Sequence, residues 1–242
     1  MDGTEDPSIK MPQKRFYRSR AHCNPLSYND GFQYPASPEL ANWAPHYPNI
    51  PDPVVRFVDV GCGFGGLTVA LASIFPDKLV LALEIRAKVC EYVRLRIEAL
   101  RGQNPGSYEN AACLRTNCQR YLPNFFKKAQ LEKIFFCFPD PHFKTKNHRR
   151  RIITELLLDE YAYALAPGGR LYCITDVEEL HLWHVAKCTG HAAFERIEDE
   201  KHLKETDPCV NAMIEETEEG KKVSRMNGNK YFAVFRRREE SE

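Results

Sequence analysis

The sequence predicts an α/β fold built on a mostly parallel sheet with an antiparallel pair of strands at its end. Apolar, β-branched runs alternate with amphipathic stretches at the spacing of crossover units. A glycine-rich turn joins the first such run to the stretch after it. Two late strands follow without a clear crossover helix between them, which suggests a hairpin on the sheet edge.

Taken in order, residues 1–50 are rich in Pro, Asn, Tyr and Ser and lack an apolar period. They are expected to form an irregular basic arm, ordered by packing on the core or by a ligand. The folded domain is expected over 51–242. Residues 54–60 read as a buried strand, 67–75 as a helix stopped by Pro76, and 79–84 as a second strand. Residues 88–100 place Val89, Val93, Ile97 and Leu100 on one helical stripe. Strands are expected over 111–115 and 133–138, and a helix over 151–165 ending at an Ala-Pro-Gly-Gly turn. A fifth strand over 170–175 and a helix over 177–188 follow, then the late strands over 194–198 and 231–236.

With 242 residues, 43% hydrophobic and 28% charged, the composition is that of a globular chain, which excludes a disordered or fibrous one. No stretch approaches the ~18 consecutive apolar residues of a membrane helix, so no membrane partner is expected. The acidic first residues argue against a secretory or transit signal. Nine cysteines, an odd number without a Cys-x-x-Cys pair, read as small core residues in a reducing compartment; no metal site is expected. The net charge of +1 hides an asymmetry: residues 10–24 hold five cations and no acid, and 144–151 hold five more in eight residues. Residues 195–219 reverse the balance, with ten acids against three bases. Such runs are usually solvated faces, but two uninterrupted basic blocks favour a polyanionic partner.

The turn Asp59-Val-Gly61-Cys-Gly63-Phe-Gly65-Gly66 needs residues free to adopt positive φ and to let a ligand approach the backbone. Glu84 ends the second strand 23 residues after Gly61, where a carboxylate can accept from two ribose hydroxyls. Asp59 would repel a pyrophosphate but favour a ligand carrying an ammonium and a sulfonium. The pattern therefore resembles the class I S-adenosylmethionine-dependent methyltransferases, of Rossmann-like fold, with a nicotinamide dehydrogenase as the alternative. Two prolines flank Asp140 at the end of the fourth strand, presenting its carboxylate from a rigid loop. Lys144, Lys146, His148, Arg149, Arg150 and Arg151 then bring phosphate-binding charge beside it.

Phe138-Pro-Asp-Pro-His-Phe-Lys144, followed by His148 and Arg151-Ile-Ile, resembles the signature of the tRNA (guanine-N7)-methyltransferases. Similarity extends through Arg20-Ala-His-Cys-Asn-Pro25, the glycine turn, Leu83-Glu-Ile-Arg-Ala-Lys88, Leu122-Pro-Asn-Phe-Phe126, Ile174-Thr-Asp-Val177 and Thr217-Glu-Glu-Gly-Lys-Lys222. Cys23 stands where a serine is common, and His142 points to the eukaryotic catalytic subunit. The resemblance implies methyl transfer from S-adenosylmethionine, without a metal, to a tRNA guanine, with the variable loop as its place. A WD-repeat propeller subunit is the implied partner, and the nucleus, with the cytoplasm second, the implied location. It assigns Gly61, Glu84, Ile85, Arg86, Asn117, Cys118 and Cys137 to the cofactor, beside Asp59 and Gly63 of the turn. Asp140 takes the active-site acid position. Lys144, His148, Arg151 and Asp176 match substrate-contacting positions, and Thr217 and Glu219 match residues closing over cofactor and base. A methyltransferase for another RNA, a protein or a small molecule, and a catalytically inert cofactor-fold module, are the alternatives.

Overall fold

In the computed structural model, residues 10–20, 23–27 and 31–239 are described; residues 1–9, with the acidic stretch read for targeting, and Ala21-His22 of the arm lie outside them. Seven strands form one sheet: β1 (Val55–Val60), β2 (Leu79–Glu84), β3 (Ala111–Arg115), β4 (Leu131–Cys137), β5 (Leu165–Thr175), β6 (Phe194–Ile197) and β7 (Tyr231–Arg237). Their order is β3-β2-β1-β4-β5-β7-β6. The first five are parallel, and β7 runs antiparallel to both β5 and β6. Strand order reverses between β1 and β4, the switch point at which doubly wound sheets open a crevice for ligands.

Period-two alternation divides the sheet's side chains between two cores. Val58 and Val60, Leu81 and Leu83, Ile134 and Phe136 face α3 (Cys118–Phe125) and α4 (Glu155–Ala164). Phe57, Val80, Ala82 and Phe135 face α1 (Gly66–Ile74) and α2 (Ala87–Gln103). Each fully buried Leu or Phe contributes roughly 1.5–3 kcal/mol relative to exposure. Asp59 and Glu84 stand on the second face by the same alternation, one at the carboxyl end of each strand.

Three expectations change. The late strands are neighbours but no hairpin: α6 (Glu200–Thr206), α7 (Pro208–Glu215) and α8 (Glu218–Arg225) intervene, and β7 inserts between β5 and β6. The helix expected from Arg151 starts at Glu155, because the Thr154 hydroxyl caps it and Arg151 turns inward. The Ala-Pro-Gly-Gly turn is absorbed into β5, whose pairing with β4 shifts register between Leu131 and Lys133. Beyond these expectations, α3 forms around Pro123, with the Asn117 side chain accepting from the Gln119 amide as its cap.

The described arm contains two short 3-10 turns, Lys14–Phe16 and Pro38–Leu40, and packs on the core through rings. Tyr47 is fully buried and donates to the Val80 carbonyl at 3.0 Å. Trp43 stacks on Phe126, Tyr34 on Tyr121 at 4.0 Å, and Tyr17 sits edge-on to Tyr92. Among the described residues, no helix is long and apolar enough to cross a membrane.

Candidate active site

The carboxyl ends of β1, β2 and β4, the start of α3 and the arm enclose a cavity of about 200 Å³. Gly61, Glu84, Ile85, Arg86, Asn117, Cys118, Cys137 and Asp140, each singled out by sequence, line it together. Cys23 and Pro25 of the arm form part of the wall.

Gly61 and Gly63 hold positive φ, +71° and +55°, and a Cβ built at either would meet nothing within 4 Å. The turn is therefore open on the side its glycines face, as a ligand cradle requires. Gly66 differs: a Cβ there would lie 2.1 Å from the Glu216 carbonyl oxygen, so this glycine lets the turn between α7 and α8 approach the start of α1.

Glu84 is buried, and its carboxylate accepts from the Arg86 amide at 2.9 Å and from Arg86 Nε and Nη2 at 3.0 and 2.7 Å. The pairing with Glu84 pushes the guanidinium pKa of Arg86 up. A ribose reaching Glu84 would have to share this carboxylate with the fork or displace it. Asn117 Nδ2 donates to the Pro25 carbonyl at 2.8 Å, so the residue that caps α3 also ties the arm across the cavity. Burial pushes the Cys118 and Cys137 thiols up, and they serve as apolar lining.

Asp59 takes another place. Its carboxyl is almost fully buried, accepts from the Thr68 hydroxyl at 2.7 Å, and does not line the cavity. Burial raises its pKa to about 7. The direct cofactor contact expected of it is corrected: Asp59 joins β1 to α1 beneath the glycine turn.

The Asp140 loop is held by its own backbone. Phe138 and His142 adopt φ of +50° and +45°, and a main-chain bond from the Phe138 amide to the Ile174 carbonyl closes its base. Asp140 Oδ1 accepts from the His142 amide at 3.2 Å, an Asx turn that fixes the carboxylate. The His142 ring lies 3.8 Å away. Below the loop, Arg151 is 1% exposed. It donates through Nε to the Pro141 carbonyl at 2.9 Å, through Nη1 and Nη2 to Glu179 at 3.0 and 2.7 Å, and lies 3.0 Å from His148 Nε2. The Trp183 ring covers its guanidinium at 4.6 Å and meets the His148 ring edge-on. The expectation that Arg151 contacts substrate is thereby corrected: buried hydrogen bonding turns it into a support of the loop, with the half-buried His148 beside it.

Of the remaining expectations, Lys144 and Asp176 are exposed beyond the ends of β4 and β5, outside the cavity wall. Thr217 caps α8, accepting from the Gly220 amide, and Glu219 pairs with Lys222, so neither lines the cavity. Sequence reading missed Phe138, Thr116, Gln119 and Ile152 as wall residues and took Arg150 for a surface cation. Gln119 bonds the Arg150 carbonyl, a contact between α3 and the basic block that no local pattern encodes. Among the described residues, no group of three His, Cys, Asp or Glu side chains is arranged to hold a metal ion.

Comparison with known proteins gives consistent results. A family model described as "Putative methyltransferase" matches residues 53–233. A protein of Anopheles gambiae named tRNA (guanine-N(7)-)-methyltransferase is 51% identical, with 98% of this chain and all of that one covered. A Xenopus laevis protein of the same name is 49% identical over 95% of this chain and 90% of its own. Among solved structures, the 16S rRNA methyltransferase KamB superposes with a TM-score of 0.50 at 16% identity, over 76% of this chain and 88% of that one, a likeness of fold.

Proposed function

The chain belongs to the tRNA (guanine-N7)-methyltransferase family, and on that premise we propose that it methylates N7 of a guanine in the variable loop of tRNA, using S-adenosylmethionine, as the catalytic partner of a WD-repeat subunit. The carrying observation is one cavity that joins an open glycine turn, a buried acid after the second strand and a rigidly presented acid after the fourth. The family resemblance supports the propeller partner, the variable-loop target and a nuclear location with the cytoplasm second.

The residues present fit the cofactor. Space opens where Gly61 and Gly63 lack side chains, Glu84 offers a buried carboxylate for ribose hydroxyls, and Asn117, Cys118 and Cys137 offer a mixed lining for an adenine. S-adenosylmethionine supplies an electrophilic methyl group on a sulfonium. Guanine N7 carries an in-plane lone pair and needs no base to remove a proton. The protein's tasks are to position the ring and to stabilise the positive charge that develops on it. Asp140 suits both: an ionised carboxylate can accept from guanine N1–H and N2–H, which adenine cannot offer, and it stabilises a purine cation. In-plane approach to N7 from a stacked helix is obstructed, so the target base leaves its stack at a cost of a few kcal/mol. Lys144 and the exposed cations after it are suited to the flanking phosphates, which hold the RNA by shape. Asp176, Thr217 and Glu219 would join the site only on substrate binding.

Methyl transfer from labelled cofactor to total tRNA, with the product nucleoside identified by mass spectrometry, tests the reading; 7-methylguanosine is expected, and another modified nucleoside would overturn it. In the same assay Asp140→Ala should lower single-turnover rate by at least ~100-fold with cofactor affinity retained.

A further inference from the structure

Phe143 is 71% exposed, although it lies one residue beyond His142 on the loop that fixes Asp140. Single exposed apolar side chains are ordinary on a protein surface. Its setting is less ordinary. The backbone that carries it is immobilised on one side by the Asx turn and the positive φ of His142, and beneath by the bond from Arg151 to Pro141. On the other side Lys144, Lys146 and Arg149 are exposed and make a cationic rim. Among the described residues its ring stacks on no other ring and no cation covers it. Phe16, the exposed phenyl ring of the other basic block, is instead covered by the Arg15 guanidinium at 4.7 Å. A rigid loop thus holds a bare aromatic face three residues along the chain from the active-site acid, within a surface suited to phosphates.

Removing a guanine from its stack uncovers the faces of the bases on either side of it. An aromatic ring held at the rim can cover one of those faces, and stacking of this kind tolerates any base because every base has a π-face. We propose that Phe143 stacks on the RNA base adjoining the target guanine and so stabilises the extruded state. This rests on the guanine-N7 reading above. Phe143 is then a positioning residue: it favours the reactive arrangement without touching the reacting atoms.

The test uses the full chain with its proposed WD-repeat subunit and tRNAs carrying 2-aminopurine on one or the other side of the target guanine. The parent protein should quench the probe on one side. Phe143→Ala should leave both probes bright and lower kcat/KM for tRNA by roughly tenfold to a hundredfold, with cofactor affinity by calorimetry unchanged. Phe143→Trp should restore quenching and rate; Phe143→Leu, apolar but not aromatic, should not. Parent-like quenching and rate in Phe143→Ala would overturn the proposal, as would rescue by Leu equal to that by Trp. Loss of cofactor affinity in Phe143→Ala would likewise overturn it, marking the ring as a support of the pocket. Failure of the parent to form 7-methylguanosine would instead overturn the underlying reading.

Discussion

Between residues 10 and 20 all five cations are exposed on the arm, whereas between 144 and 151 the fold sorts five cations by depth. Lys14 pairs with Glu218 and lies 5.5 Å from the Phe64 ring, and Arg15 covers Phe16. In the second block Lys144, Lys146 and Arg149 face water, Arg150 reaches the cavity wall, and Arg151 is enclosed by Glu179, His148, Trp183 and the Pro141 carbonyl. Two runs of similar composition therefore do different work. The first is a surface, and the second is a surface whose last residue fastens the active-site loop from below.

Removing the buried member should have the largest effect. Arg151→Ala releases the Pro141 carbonyl, leaves a void against Trp183 and should destabilise the protein by about 3 kcal/mol. Turnover should fall in step with the loosened Asp140 loop. Thermal unfolding and single-turnover rates check both, and a variant of parent stability would return Arg151 to the surface class.

The outer members should act on RNA alone. Lys146→Ala with Arg149→Ala should weaken tRNA binding by roughly tenfold to a hundredfold and make the salt slope shallower by about 0.7–0.9 per lost phosphate contact. Binding measured across a salt series decides it: an unchanged slope would leave this face merely solvated.

A smaller effect reads the interior behind Arg151. His184 is buried, neither ring nitrogen finds a partner, and burial lowers its pKa to about 3, with His181 and Arg151 adding to the shift. Unfolded, it would take up a proton near its ordinary 6.5, so stability present above that pH is lost as pH falls toward 3. His184→Leu should remove about 1 kcal/mol of the stability loss between pH 6.5 and 5.5, read from denaturant midpoints at the two pH values.

The smallest effect belongs to the arm. Lys14→Ala breaks a solvent-accessible ion pair and should change stability by less than about 1 kcal/mol. A larger loss in thermal unfolding would mean that the arm, too, is fastened through its charges.

The alternating apolar strands and the glycine turn were legible because each is a local pattern with one physical solution. Glu84 was legible for the same reason, since a position at the end of β2 follows from counting. The late helices were not. They are only seven or eight residues long, and α6 and α8 carry one apolar side chain each, too few to set a period, although Asp199, Asp207 and Thr217 cap all three and Pro208 follows its cap. No helix was expected over α3, where Pro123 stands inside the helix. The depth of Arg151 could not be read at all, because its partners come from Glu179 and Trp183 on α5 (Glu178–Thr189) and charge alone does not say which member of a run turns inward. The tie between Asn117 and Pro25 spans 92 residues and is equally invisible locally.

The insertion of β7 between β5 and β6 sets the order in which this molecule can be completed. In chain order β7 is the last of the strands, yet the sheet needs it before β6 can pair with anything. Until residues 231–237 arrive, the long β5 keeps one edge open and β6 has no neighbour in the sheet. The five parallel strands that carry the cavity pair without β7, which permits a growing chain with a formed ligand crevice and an unpaired edge. Such an edge is a template for another chain. Slow translation over the α6–α8 stretch would prolong that exposure, and aggregation during synthesis would then track how long β7 is delayed rather than how stable the finished fold is.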